Sequence, residues 1–399
     1  MGQKRSSSIQ RRAAREVLLL CTTANISPEG RERLHRLLAE GVVDWDYLLN
    51  LAEFHNIVPL VAYNLATNSF HSQVPQPYLD RLNQAYNSTL YRNVLLSHEL
   101  ANVLSALKKH DIAAISLKGT VLAEVLYENP ALRAIADMDI LVHPEDVSQA
   151  RAVLIDSGYK QATMPATWEH HFHEVPYYKQ GTFPFFLELH WNLEDRRFAT
   201  APEKEIWRRA QPVELQGITA TVLSPEDNFL FLCTHFSKQS SELLKFLGDI
   251  AELLKKYKST LDWDYIITSA YSWQSETAVY YALIRAKDLL GAPVPASVLK
   301  TLKPSPWRRW LLSFLVNQEH FFTPISGSKI RDWTSVLAHS LMMKSPRQTL
   351  MVLSRQQGPY KKVAWLRTTF WVGLVLAATF WRNTIRIASK IWNSTDMIK

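Results

Sequence analysis

Cysteine is almost absent: Cys21 and Cys233 are the only two in 399 residues. Two thiols make no disulfide framework and point to a reducing compartment, and the paired-Cys spacing of a structural zinc site is missing. Long apolar runs are absent too. The uncharged stretch Thr368 to Trp381 holds fourteen residues, where a membrane span needs about 20. Val17-Leu18-Leu19-Leu20 is too short for the apolar region of a secretory signal, and no small-residue cleavage site follows it. No fixed-period repeat runs through the chain. Acid is scarce at one end only: residues 344–399 hold ten Lys or Arg against one Asp. The net charge of +8 therefore belongs to the tail, and the preceding residues carry about −1. A near-neutral body argues against a broad nucleic-acid groove.

What is present describes a globular protein. Hydrophobic residues make up 47% and charged residues 21%, enough for two or three domains that each bury a core. Residues 1–12 are polar and basic, and are expected to be loose. Apolar positions recurring at three and four predict helices over Arg15–Leu38 and Trp45–Ala66, with Asp44 as a cap, and a long one from about Pro75 or Pro77 to Lys109. Short strands and helices are expected from 112 to 222: a helix after Lys118-Gly119-Thr120, a strand from Asp137, a helix from Pro144 to about Ser157 closed by Gly158, strands near 158–163, 171–179 and 184–191, and a β-arm over 213–222. Ser224-Pro225 then opens a helical region. The expected division is an N-terminal helical region (1–111), a small mixed-sheet core with helices on one side (112–222), a C-terminal helical domain (223–343) and a basic apolar tail (344–399), an α+β fold.

One stretch carries chemistry, residues 115–142. Glycine at 119 lets the backbone approach a ligand, and the helix expected over Val121 to about Glu128 would turn unpaired N–H groups toward an anion such as a phosphate. Asp137-Met138-Asp139 opens an apolar strand, and the two-residue period puts both carboxylates on one face. Two such acids either face solvent or share a cation, and Mg²⁺ is the usual partner when phosphates are also bound. Lys118 stands where a cation would meet a triphosphate, and Arg133 lies four residues before Asp137.

These residues resemble a known family. Gly119-Thr120 followed by Asp137-Met138-Asp139 is similar to the signature of the DNA polymerase beta-like nucleotidyltransferase superfamily. Leu117-Lys118-Gly119, Arg133, Asp137-x-Asp139-Ile140-Leu141-Val142 and Glu188-Leu189-His190-Trp191 narrow the likeness to an uncharacterised nucleotidyltransferase family. The resemblance implies that Asp137, Asp139 and Glu188 are catalytic acids holding two Mg²⁺, or Mn²⁺ in their place. It implies that Lys118, Gly119, Thr120, Arg133 and His190 bind an NTP such as ATP. The activity it implies is transfer of a nucleoside monophosphate to a hydroxyl of a small molecule, a protein or a tRNA end, in a bacterial cytoplasmic protein. A catalytically silent binding or scaffold protein is the alternative from another class.

Other residues leave two readings open. His235 and Asp249 either line the nucleotide or acceptor cleft or serve as a buried polar pair or a cap at a helix junction. The aromatic and basic tail over 360–392 is either an interfacial helix making peripheral contact with the inner face of a membrane or a core helix of the helical domain. His170, His171 and His173 lack a Cys partner and read as surface or core residues.

Overall fold

A computed structural model describes residues 2–164, 173–193, 201–238, 243–315 and 318–322, with 338, 341 and 342. The tail expected at 344–399, with its membrane or core reading, lies outside the described residues, as do His170 and His171.

Four helices open the chain: α1 (Gly2–Leu20), α2 (Pro28–Ala39), α3 (Trp45–Phe54) and α4 (Val58–Thr67). The first corrects the expectation of a loose start. Ala13, Ala14, Val17 and Leu18 bury one face of α1, and Arg15 Nε donates to Tyr47 Oη of α3 at 3.0 Å. Two expected helices are four because their interiors carry stop signals. Ser27 Oγ accepts from Gly30 N to start α2, and Asn56 at φ 56° breaks the chain between α3 and α4. Asp44 caps α3 as expected, accepting from Tyr47 N at 3.0 Å. The long α5 (Gln76–Lys109) then delivers the chain to the sheet.

The sheet alternates with short helices: β1 (Ala114–Ser116), α6 (Thr120–Val125), β2 (Met138–Val142), α7 (Val147–Asp156), β3 (Lys160–Gln161), β4 (Glu174–Lys179), β5 (Phe185–His190), α8 (Glu203–Arg209), β6 (Gln211–Leu215) and β7 (Ile218–Val222). Its order is β3-β4-β5-β2-β1-β7-β6. The pairs β2/β5 and β1/β7 are parallel and the rest antiparallel, so the sheet is mixed. The expected β-arm is a hairpin turned at Gln216 and Gly217, both at positive φ, and it extends the sheet beside β1. Gly158, at φ 89°, ends α7.

The remaining helices are α9 (Pro225–Lys238), α10 (Leu244–Lys256), α11 (Trp263–Ser272), α12 (Glu276–Leu290), α13 (Ala296–Thr301) and α14 (Pro306–Leu315). Ser224 starts α9 by accepting from Asp227 N at 3.2 Å. The first turn of α10 uses a distant residue. His55 Nδ1 accepts from Leu244 N at 3.2 Å, so the imidazole proton is on Nε2, which donates to the Phe321 carbonyl at 2.7 Å.

Two apolar cores meet the sheet. Strand residues Met138, Ile140, Val142, Leu187 and Leu189 face α5 and α7 through Leu100, Leu104, Leu107, Val153 and Leu154. Those helices are the ones expected on one side. On the opposite face Ile115 and Leu141 join a larger core built from the N-terminal helices and from α9 to α12. Helices therefore touch both faces, because the flanking helical segments pack together and onto this second face. Burying apolar side chains there contributes about 1.5–3 kcal/mol each.

Candidate active site

The second face also carries the acids. Cross-strand partners share a face, and Asp139 is paired with Glu188 while Leu141 is paired with His190. Glu174 stands opposite His190 on β4. One stripe therefore brings Glu174, Glu188, His190 and Asp139 together, with Asp137 two residues before Asp139 and just ahead of β2.

Asp139 is the centre. Its side chain has no exposure, which excludes the solvent-facing reading for this acid. Oδ1 accepts from Lys118 Nζ at 3.0 Å and from His190 Nε2 at 3.2 Å. Burial would raise its carboxyl, but Lys118 and His190 outweigh that and hold it well below the usual carboxylate range. Asp137 moves the other way, raised by burial and by the charge of Asp139. His190 lies 3.6 Å from Glu188 Oε2 through Nε2 and 3.2 Å from Glu174 Oε2 through Nδ1. Burial alone would lower its imidazole; hydrogen bonds to Asp139 and Glu188, with the charge of Glu174, push it up to about 9. The Lys118 ammonium is likewise disfavoured by burial, yet Asp139, Glu188 and Asp137 raise it above its ordinary value.

Asp139, Glu188 and His190 offer ligand atoms within 4.8 Å of one another. Asp139 Oδ2 is buried without a hydrogen-bond partner. Carboxylate oxygens with one buried acceptor left over suit a hard divalent cation such as Mg²⁺. The residues present fit a divalent cation.

The turn beside the acids depends on glycine. Gly119 has φ 62° and ψ −114°, and a Cβ there would meet the Asp137 carbonyl oxygen at 3.1 Å. The helix that follows is shorter than expected, Thr120–Val125 instead of Val121 to about Glu128, since Glu128 has φ 53° and Tyr127 Oη donates to Asp249 at 3.0 Å. A helix of six residues adds little dipole to the turn. Thr120 is buried, and its hydroxyl has no partner.

Arg133 is buried in an ion pair. Its Nε and Nη2 donate to the two oxygens of Asp249 at 2.9 Å each, and Nη1 reaches the Gly119 carbonyl at 3.3 Å. Asn93 Nδ2 in turn donates to the Arg133 carbonyl at 2.7 Å. Asp249 is thus a buried partner of Arg133, the second of its two readings, but its mate is not His235, which packs edge-on to Phe246 at 4.8 Å.

Sequence reasoning missed Glu174, Tyr127 and Lys245. The 174–190 hairpin register signals Glu174. Lys245, one turn before Asp249 on α10, donates to the Ala134 carbonyl at 3.4 Å. Burial and the nearby Arg133 lower its ammonium to about 8. No local pattern marks it. A further set, His143, Glu145 and Glu203, lies past the opposite end of β2.

No curated protein matches the chain. Among solved structures it is similar to an antigenic nucleotidyltransferase-like protein from Paracoccidioides brasiliensis, at 14% identity and a TM-score of 0.32, over 52% of this chain and 92% of that one. A sequence model described as an uncharacterised nucleotidyltransferase matches residues 41–291, which take in the glycine turn, all three acids and Asp249. The chain belongs to this uncharacterised nucleotidyltransferase family.

Proposed function

We propose that the protein is a metal-dependent nucleotidyltransferase that moves a nucleoside monophosphate from an NTP to a hydroxyl acceptor and releases pyrophosphate. The observation that carries this reading is the gathering of Asp139, Glu188 and His190 on one sheet face, beside the Gly119 turn. Asp137, Asp139 and Glu188 would hold the divalent cation. When bound, it supplies charge neutralisation for the triphosphate and a more acidic acceptor hydroxyl.

The chain's own residues do the rest. His190 fixes Asp139 through Oδ1 and leaves Oδ2 without a hydrogen-bond partner. Gly119 lets backbone approach the β- and γ-phosphates, Thr120 adds a hydroxyl, and Arg133 steadies the turn through its carbonyl. Lys118 supplies a positive charge. Of the two acids that would accept the hydroxyl proton, Asp139 is buried and acidified, whereas the Glu188 side chain is 29% exposed; the proton goes to Glu188.

A small molecule, a protein or a tRNA end would each supply the hydroxyl. The test is pyrophosphate release from each NTP with Mg²⁺ and fractionated cell extract. Release by the wild type that is lost in Glu188→Gln supports the proposal; equal release by both proteins contradicts it. The reading as a silent binding protein draws on one observation, the ion pair through which Lys118 offsets the charge of Asp139. NTP binding with no release in any fraction would favour it.

A further inference from the structure

The ion pair itself points to a role for Lys118. Its Nζ lies 3.0 Å from Asp139 Oδ1, on a side chain 12% exposed, against a carboxylate fully out of solvent. His190 takes the same oxygen at 3.2 Å, so the two cations share one carboxylate oxygen while the other has no partner. Glu188 and Asp137 also act on this ammonium. A divalent ion on these carboxylates and an ammonium at ion-pair distance repel each other.

We propose that Lys118 is the resident counter-ion of the metal site and trades places with the divalent cation. In the metal-free protein the ammonium relieves the repulsion between acids that would otherwise face one another in a buried setting. Metal binding at Asp139 and Glu188 displaces it. A compact charge on a flexible four-carbon stem can make that move. The freed ammonium is then available to an anion such as a triphosphate. This inference rests on the metal-dependent reading above.

Mn²⁺ alone, titrated into the full chain and followed by the resonance of the free ion, tests it without any turnover. Lys118→Met, checked for native circular dichroism, is expected to bind Mn²⁺ at least about tenfold more tightly than the wild type. Equal or weaker binding, with Glu188→Gln reducing it in both backgrounds, would overturn the exchange and leave the metal site standing. Absence of Mn²⁺ binding in every protein would overturn the metal site and the exchange with it. A second measurement needs no variant: acylation of Lys118 in the wild type, read by peptide mass spectrometry, is expected to rise when Mn²⁺ is added. Labelling that stays level or falls while Mn²⁺ binds would overturn the exchange.

Discussion

Asp139 illustrates how far a residue's meaning depends on its neighbours. From sequence, two acids at i and i+2 repel, and removing one is expected to leave the metal-free fold intact. In the structure Asp139 is the anion for two buried cations, Lys118 and His190, so Asp139→Asn leaves both without a full counter-charge. We expect it to lose activity and about 3–5 kcal/mol of stability, the cost of breaking a buried ion pair. Urea unfolding checks this, and an unchanged midpoint would mean that the pair contributes nothing. Arg133 makes the same point with a wider span. Its bidentate partner Asp249 is 116 positions away, a contact that no local pattern reveals. Arg133→Met should cost a similar about 3–5 kcal/mol, and adding Asp249→Leu should recover much of it, because well-packed apolar pairs often replace buried ion pairs without loss. If the double variant is less stable than the single one, the pair does more than neutralise itself.

Among the elements, the turn between β1 and α6 decides the site's shape. Gly119 at φ 62° sits where side chains are rarely tolerated, and the atom that a Cβ would meet is the carbonyl of Asp137. A phosphate clash alone would leave the fold unharmed. The contact with Asp137 predicts instead that Gly119→Ala costs about 1–3 kcal/mol of stability and weakens metal binding as well as NTP binding. Loss of NTP affinity with Mn²⁺ affinity and melting temperature both unchanged would contradict it. The element scale is also where the sequence was most legible. The strand expected from Asp137 is present one residue later as Met138–Val142, the strand expected near 184–191 sets Glu188 beside Asp139, and Asp44, Ser224 and Gly158 marked helix ends correctly. What it hid was tertiary. The helix after Gly119 stops at Val125, and Tyr127 just beyond it hydrogen-bonds Asp249, while α1 extends over polar residues and is anchored by the buried Ala13, Val17 and Leu18.

On the scale of the whole molecule, helices from both ends of the described chain share one core, which holds Cys21 from the N-terminal segment and Cys233 from α9. Burial alone pushes the Cys21 thiol up to about 12 and raises Cys233 well above its ordinary range, so neither is a ready nucleophile in the native state. Both thiols should therefore become reactive together in one unfolding transition, followed by alkylation against denaturant. Earlier labelling of Cys21 would mean that the N-terminal helices unfold as a separate unit. The shared core also holds α10, and with it Asp249 and Lys245, against the acid face of the sheet. That placement gives the site a wall from outside the strands. The central claim is that the acid face moves a nucleoside monophosphate. Its most direct test is the fate of isotope in two parallel incubations with Mg²⁺ and cell extract, one with NTP labelled at the α-phosphate and one at the γ-phosphate. The account predicts that the α-label alone enters an acceptor, that the γ-label leaves as pyrophosphate, and that Glu188→Gln stops both; transfer of the γ-label to the acceptor would contradict it.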